Sequence, residues 1–159
     1  MRAHGPALDH DLLDRAARVA ALDDVLAQVR GPVLLAAHSA GVLTTVHWAR
    51  RYRTGERFFV QGALPATPPD FGTPLPPGYP TPDALEQHGW TPVPHTRLPF
   101  PRIVAASSDD PLASAERVAE SARAWGSRLV ELGPVGHLNP AAGFGPWPRA
   151  QSLLRAAAG

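Results

Sequence analysis

The sequence contains no cysteine, which excludes a disulfide framework, a thiolate nucleophile and a zinc site built on cysteine. It has no lysine either, and its fifteen arginines against fourteen acidic residues leave a net charge of +1. A balance so close to zero supplies no basic surface for nucleic acid or for an anionic membrane. No apolar run approaches the roughly 20 residues of a membrane span, and the first residues lack the apolar h-region of a signal peptide. We therefore expect a cytoplasmic protein that binds neither nucleic acid nor membrane.

Proline is the residue that the chain has in excess. Twelve of its nineteen prolines lie between Pro65 and Pro101. Because proline is excluded from the interiors of helices and sheets, this segment is predicted to be a long excursion with one short helix near Asp83–His88. The total of 159 residues, 44% of them hydrophobic, suits one domain with a buried core, so residues 1–159 are expected to form a single domain.

Helical and strand-like patterns alternate along the rest of the chain. The apolar spacing predicts helices over residues 9–30, 41–53, 112–125 and 147–158, and strands over residues 33–37, 57–64, 102–107 and 128–132. This order predicts an α/β fold, a three-layer sandwich with a parallel sheet. The first strand has no polar alternation and is expected to be covered on both faces. In such folds ligands bind beyond the carboxyl ends of the strands.

The first predicted strand runs directly into a helix through Ala37-His38-Ser39-Ala40-Gly41. A serine between small residues at such a junction is the nucleophile-elbow pattern, because the sharp turn has no room for bulky neighbours. The turn would expose the Ser39 hydroxyl at the helix N-terminus and direct the Ala40 N–H at a developing oxyanion. The alternative is that Ser39 only caps the helix.

Polar residues also follow the third and fourth predicted strands. The segment Ser107-Ser108-Asp109-Asp110-Pro111 carries two acids, although such a segment is also typical of a helix start. His137 follows the fourth strand, where a lone histidine is usually a surface residue. Taken together, serine, acid and histidine follow successive strands in the chain order of α/β-hydrolases, which predicts a Ser–Asp–His triad. The residues alone do not decide between Asp109 and Asp110.

Several segments together resemble the small serine hydrolases of the retinoblastoma-binding and YdeN type, within the α/β-hydrolase superfamily. They are Leu35–Gly41, Gln61–Leu64, Leu98–Pro101, Ala106–Pro111, Trp125–Leu129, Gly136–Asn139 and Gly143–Pro148. The resemblance implies Ser39 as the nucleophile, Asp110, the acid before proline, as the orienting group, and His137 as the base. It implies hydrolysis of a small carboxylic ester or amide through an acyl-enzyme, with no cofactor and no metal.

Proteins of this type begin with a strand, a His-Gly loop, a helix and a further strand, and the loop supplies a second oxyanion donor. By this resemblance we expect the chain to be N-terminally shortened by this unit, and His4-Gly5 is a poor substitute because no strand precedes it. The strand Val33–Ala37 would then be an exposed apolar edge, which predicts self-association through it. The alternative function is a weakened or non-catalytic hydrolase scaffold that acts as a protein-binding module.

The remaining histidines show no metal-ligand spacing, which argues against a zinc site. His38, inside the elbow, is expected to brace the backbone rather than to catalyse. Three aromatic residues of the proline-rich excursion, Phe71, Tyr79 and Trp90, are expected either to line an acyl pocket or, by a slight preference, to hold the loop in place.

Overall fold

The computed structural model describes residues 13–52 and 58–159, and its described elements alternate between helices and strands. The strands are β1 (Gly31–His38), β2 (Phe58–Ala66), β3 (Ile103–Ala106) and β4 (Arg128–Glu131). The α-helices are α1 (Arg15–Ala27), α2 (Ala40–Ala49), α3 (Pro82–Gln87), α4 (Ala115–Ala124) and α5 (Arg149–Ala158), and a short 3₁₀ helix covers Pro140–Ala142. Outside the described residues lie Asp9–Leu12 of the first predicted helix, Arg53 of the second predicted helix, Arg57 of the second predicted strand, and His4-Gly5.

The four strands form one parallel sheet in the order β1-β2-β3-β4. One core cluster, with residues from α1, α2, α3 and α4, covers one face of the sheet, and a second cluster built on α5 covers the other. The predicted three-layer α/β fold with a parallel sheet is therefore confirmed. The three crossovers between the parallel strands bring their carboxyl ends to one edge of the sheet, where Ser39, Ser107 and Leu132 directly follow β1, β3 and β4.

β1 is less covered than its apolar sequence predicts. Val33 and Leu35 contact one core cluster and Leu34 contacts the other, so helices do lie on both faces of the strand. None of its eight residues is fully buried, however. The reason is its place at the end of the described sheet, where only β2 is paired with it.

β2 continues through Pro65 to Ala66, whereas the sequence predicts that it ends at Leu64. Proline lacks the N–H that a central strand needs, yet Pro65 pairs with Ala37 of β1. On the β3 side, the N–H groups of Ala63 and Thr67 donate to the carbonyls of Pro101 and Ala105, at 2.9 Å each. By the alternation of a parallel ladder, the missing N–H of Pro65 falls between these two bonds. The strand therefore tolerates the one hydrogen bond that Pro65 cannot donate, because both neighbouring hydrogen bonds to β3 are formed.

α4 begins three residues later than its sequence pattern predicts. The Asp110 carboxylate accepts the N–H of Leu112 at 2.9 Å, which makes residues 110–112 a turn rather than a first helical turn. Ser114 then caps the helix, because its side chain accepts the N–H of Arg117. This extra turn leaves the Asp110 side chain outside the helix, at the edge of the sheet.

Candidate active site

Ser39 occupies a strained turn between β1 and α2. Its backbone angles, φ 55° and ψ −130°, lie outside the regions that non-glycine residues normally adopt. Its N–H donates to the Ala66 carbonyl of β2 at 3.1 Å, which ties the turn to the sheet. The side chain makes no capping hydrogen bond to α2, so the alternative of a simple helix-cap serine is wrong.

His137 lies in a tight loop after β4, and its neighbours fix the position of the ring. Gly136 has φ +55°, and a Cβ atom at this position would meet the Ala142 Cβ at 2.8 Å, so only glycine fits. Leu138 on the other side also has a positive φ, of 50°. The Nε2 of His38 lies 2.7 Å from the His137 carbonyl oxygen. Because a carbonyl only accepts, His38 donates here and braces the loop, as its predicted role requires.

The side chains of Ser39, His137 and Asp110 form one chain of hydrogen bonds. His137 Nε2 lies 2.7 Å from Ser39 Oγ, and its Nδ1 lies 3.0 and 2.9 Å from the two carboxylate oxygens of Asp110. A carboxylate accepts only, so Nδ1 carries the ring proton and Nε2 is the acceptor for the serine hydroxyl. The exposed fractions of the side chains are 7% for His137 and 1% for Asp110, so water competes little for these bonds.

Asp109 has different partners. Its carboxylate accepts the N–H of Gly136 at 2.7 Å and the hydroxyl of Ser107 at 2.9 Å. The Ser107 hydroxyl in turn accepts the N–H of Val135. Asp109 thus links the loop after β3 to the loop that carries His137, and it holds that loop without touching the imidazole.

Ala40 is the first residue of α2, so its N–H has no acceptor within the helix and lies at the positive end of the helix dipole. This is the position that the sequence assigns to an oxyanion donor. Among the described residues, no group of three histidine, aspartate or glutamate side chains is placed to hold a metal ion. No described helix is long and apolar enough to cross a bilayer.

A cavity of about 160 Å³ opens beside Ser39. Its lining includes Ser39 and Ala40 of the elbow and Phe71, Tyr79 and Trp90 of the proline-rich excursion. Leu13, just before α1, and Arg18, in the first turn of α1, complete this part of the lining. Phe71 and Trp90 are also buried in the core, so they both line the cavity and hold the loop. Sequence reasoning missed Leu13 and Arg18, because nothing in an ordinary amphipathic helix indicates which of its residues borders a site.

The family model for serine hydrolases matches residues 8–156, nearly the whole chain. The chain belongs to the serine hydrolase family. A protein of Pectobacterium atrosepticum SCRI1043, assigned as a YdeN-like hydrolase, has a similar structure. The two are 28% identical with a TM-score of 0.73, and the match covers 91% of this chain and 69% of that one. The resemblance to small serine hydrolases of the YdeN type is therefore confirmed.

Two further solved structures share the fold of this serine hydrolase. The ydeN gene product of B. subtilis is 18% identical, with a TM-score of 0.65 and coverage of 87% of this chain and 72% of that one. An esterase of Thermogutta terrifontis is 16% identical, with a TM-score of 0.53 and coverage of 97% and 72%. No curated protein matches the sequence.

Proposed function

We propose that this family member hydrolyses small carboxylic esters or amides through an acyl-enzyme on Ser39. The observation that carries the proposal is the hydrogen-bonded chain from Asp110 through His137 to Ser39. A serine hydroxyl is a weak nucleophile at its ordinary pKa and needs an adjacent base to remove its proton during attack. His137 Nε2 is within hydrogen-bond distance of that proton, and Asp110 holds the tautomer that leaves Nε2 free to accept it.

The steps follow from these roles. Ser39 Oγ attacks the carbonyl carbon while its proton passes to His137 Nε2, and the Ala40 N–H stabilises the resulting oxyanion. The tetrahedral intermediate then loses its alcohol or amine, which takes the proton from His137. Water attacks the acyl-enzyme, giving a proton to the same Nε2, and the acid leaves as the proton returns to Ser39. In this cycle Asp110 stays ionised and stabilises the imidazolium.

The Ala40 N–H is the one oxyanion donor that we assign among the described residues. Removal of a single donor costs hydrolases roughly 10²–10³ in turnover. For the 159-residue polypeptide we therefore propose a correspondingly weakened activity. The alternative of a non-catalytic binding module has no such chain of contacts in its favour, because a scaffold needs neither a strained serine nor an imidazole held against it.

We also propose that the 159-residue polypeptide associates with a second copy of itself through β1. The strand ends the described sheet, and its N–H and C=O groups on one side have no strand partner within the described residues. Pairing two such edges about a two-fold axis would satisfy these groups in both copies.

The test of the catalytic proposal is turnover of p-nitrophenyl acetate by the wild type and by Ser39→Ala. The substitution should remove the enzymatic rate. Ser108→Ala is the matched control, because Ser108 is an exposed serine at the same edge of the sheet and its side chain has no part in the proposed mechanism. Equal rates in the wild type and Ser39→Ala would refute the proposal.

A further inference from the structure

The cavity beside Ser39 differs chemically from the rest of the site. Within the described part of the chain, the side chains that line it are apolar except for Ser39, Arg18 and the Tyr79 hydroxyl. The apolar ones include Leu75, Leu85 and Leu112. Water in such a cavity finds few hydrogen-bond partners, so an apolar group that replaces it gains free energy.

The wall of this cavity is held in place from several directions. The Trp90 indole N–H donates to the Leu13 carbonyl at 2.5 Å. The rings of Trp90 and Phe71 pack edge to face, with their centroids 5.6 Å apart. The Trp90 carbonyl accepts from His47 Nε2 at 3.0 Å. The wall is therefore preorganised, and a ligand does not have to order it.

Arg18 is the one charged residue that residues 13–52 and 58–159 contribute to the wall, and its surroundings are those of a packed side chain. Its guanidinium carbon lies over the Trp90 ring, 5.7 Å from the centroid. Burial lowers the pKa of Arg18 from its usual value. The guanidinium thus contributes a flat stacked surface to the wall.

The position of His137 decides which part of a substrate enters the cavity. The imidazole returns its proton to the leaving alcohol or amine, so that group has to lie on the His137 side of Ser39. His137 does not line the cavity, whereas Ser39 and Ala40 do. The acyl group, on the other side of the carbonyl carbon, is the part that faces the cavity.

We infer that the substrates are esters or amides of a neutral, apolar acyl group of about four to six carbons. The inference rests on the proposed function of Ser39. The size follows from the volume, since an apolar protein cavity of about 150 Å³ accommodates a benzene ring. Each methylene that enters should raise kcat/KM about fourfold, the equivalent of its transfer out of water. A chain longer than the cavity should gain nothing more.

The experiment compares p-nitrophenyl acetate, butyrate, hexanoate and decanoate. We expect kcat/KM to rise about fifteenfold from acetate to butyrate and to level off at or before hexanoate. The p-nitrophenyl monoester of succinate, which adds a carboxylate at the far end of the acyl chain, should be a poorer substrate than butyrate. A flat series, a rise that continues to decanoate, or a preference for the succinate ester would each overturn the inference.

Two variants test whether this cavity is the origin of the preference. Leu75→Trp fills it and should lower the ratio of kcat/KM for hexanoate to that for acetate by at least tenfold. Tyr79→Ala removes part of the cavity lining and should lower the same ratio a few-fold. Phe59→Ala is the matched control, because Phe59 is also an aromatic residue with 45% exposure but lies near the start of β2, away from the cavity. An unchanged ratio in both cavity variants would overturn the inference.

Labelling by a fluorophosphonate separates this inference from the proposed function. The probe reports the nucleophile and its base whatever the acyl preference. If Ser39 is labelled and the ester series is flat, only the acyl-group inference fails. If Ser39 is not labelled and no ester is hydrolysed, the proposed function fails and the inference with it.

Discussion

Asp109 and Asp110 are adjacent in the chain, but only Asp110 contacts the His137 imidazole. The Asp110 carboxylate meets Nδ1 with both oxygens, at 3.0 and 2.9 Å, while Asp109 accepts the Gly136 N–H at 2.7 Å. One aspartate thus orients the ring and the other fixes the loop that carries it. The difference makes their substitutions distinguishable.

Asp110→Asn should lower kcat about 10⁴-fold, the cost of the equivalent change in a serine protease, because an amide can present its NH₂ to Nδ1 and favour the wrong tautomer. Asp109→Asn should lower kcat far less and instead reduce the free energy of unfolding by about 1–3 kcal/mol, since its hydrogen bonds hold a loop. Steady-state kinetics and urea denaturation of both variants measure the two effects. The opposite ranking in kcat would mean that Asp109 orients the ring.

The lowered pKa of His47 predicts that the folded protein loses stability in weak acid. Burial lowers its pKa, the Trp90 carbonyl raises it in part, and Arg15 and Arg50 lower it further, so the pKa in the folded state lies below 6.5. The unfolded chain then binds more protons than the folded one below pH 6.5. The stability that neutral His47 provides is full above this pH and decreases as the pH falls, by at most about 1.4 kcal/mol per pH unit.

The measurement is the free energy of unfolding from pH 8 to pH 5 for the wild type and for His47→Gln. Glutamine keeps an N–H donor for the Trp90 carbonyl but does not titrate in this range. The variant should lose less stability than the wild type between pH 6.5 and 5. Identical pH dependence of the two proteins would show that His47 does not cause the loss.

Thr67→Val should leave the stability unchanged or increase it. Thr67 is fully buried, has φ 44°, and its hydroxyl has no hydrogen-bond partner among the described residues. A buried hydroxyl without a partner costs about 1–3 kcal/mol, and valine has the same shape without it. Thermal and urea denaturation test the change, and a loss of more than about 1 kcal/mol would reveal a partner for the hydroxyl.

Self-association through β1 should appear in sedimentation equilibrium of the 159-residue polypeptide as a mass that rises with concentration. Ala36→Lys places a charge on an exposed residue of the edge and should give a monomer, because a charge there opposes strand pairing. Ala115→Lys, at an exposed position of α4, is the control and should behave as the wild type does. A wild type that stays monomeric at all concentrations would contradict the proposal.

Much of the fold could be predicted because the strands contain short apolar runs bounded by residues that stop regular structure. Gly31 and Pro32 mark the start of β1, and the β1–α2 junction is recognisable because a sharp turn requires small residues around Ser39. The full extent of β2 depends on tertiary contacts that the local sequence pattern does not contain. The chain passes through Pro65 without ending β2, since strong bonds on either side compensate for one missing donor.

The candidate site could be predicted only in part. Ser39 and His137 follow strands at positions that the chain order makes recognisable, whereas two adjacent carboxylates cannot be ranked from the residues alone. The turn at Leu112, which directs Asp110 toward the imidazole, depends on side-chain contacts rather than on a periodic pattern. The cavity wall from α1 is likewise a product of packing, since no feature of Arg18 in the sequence relates it to Ser39.

Covalent modification by a fluorophosphonate is the sharpest test of Ser39 as the nucleophile. A fluorophosphonate should add one phosphonyl group per molecule, and peptide mass spectrometry should find it on Ser39. We expect no adduct in Ser39→Ala, much slower labelling in His137→Gln, and full labelling in Ser108→Ala. An adduct on another residue, or labelling that survives Ser39→Ala, would contradict the assignment of Ser39 as the nucleophile.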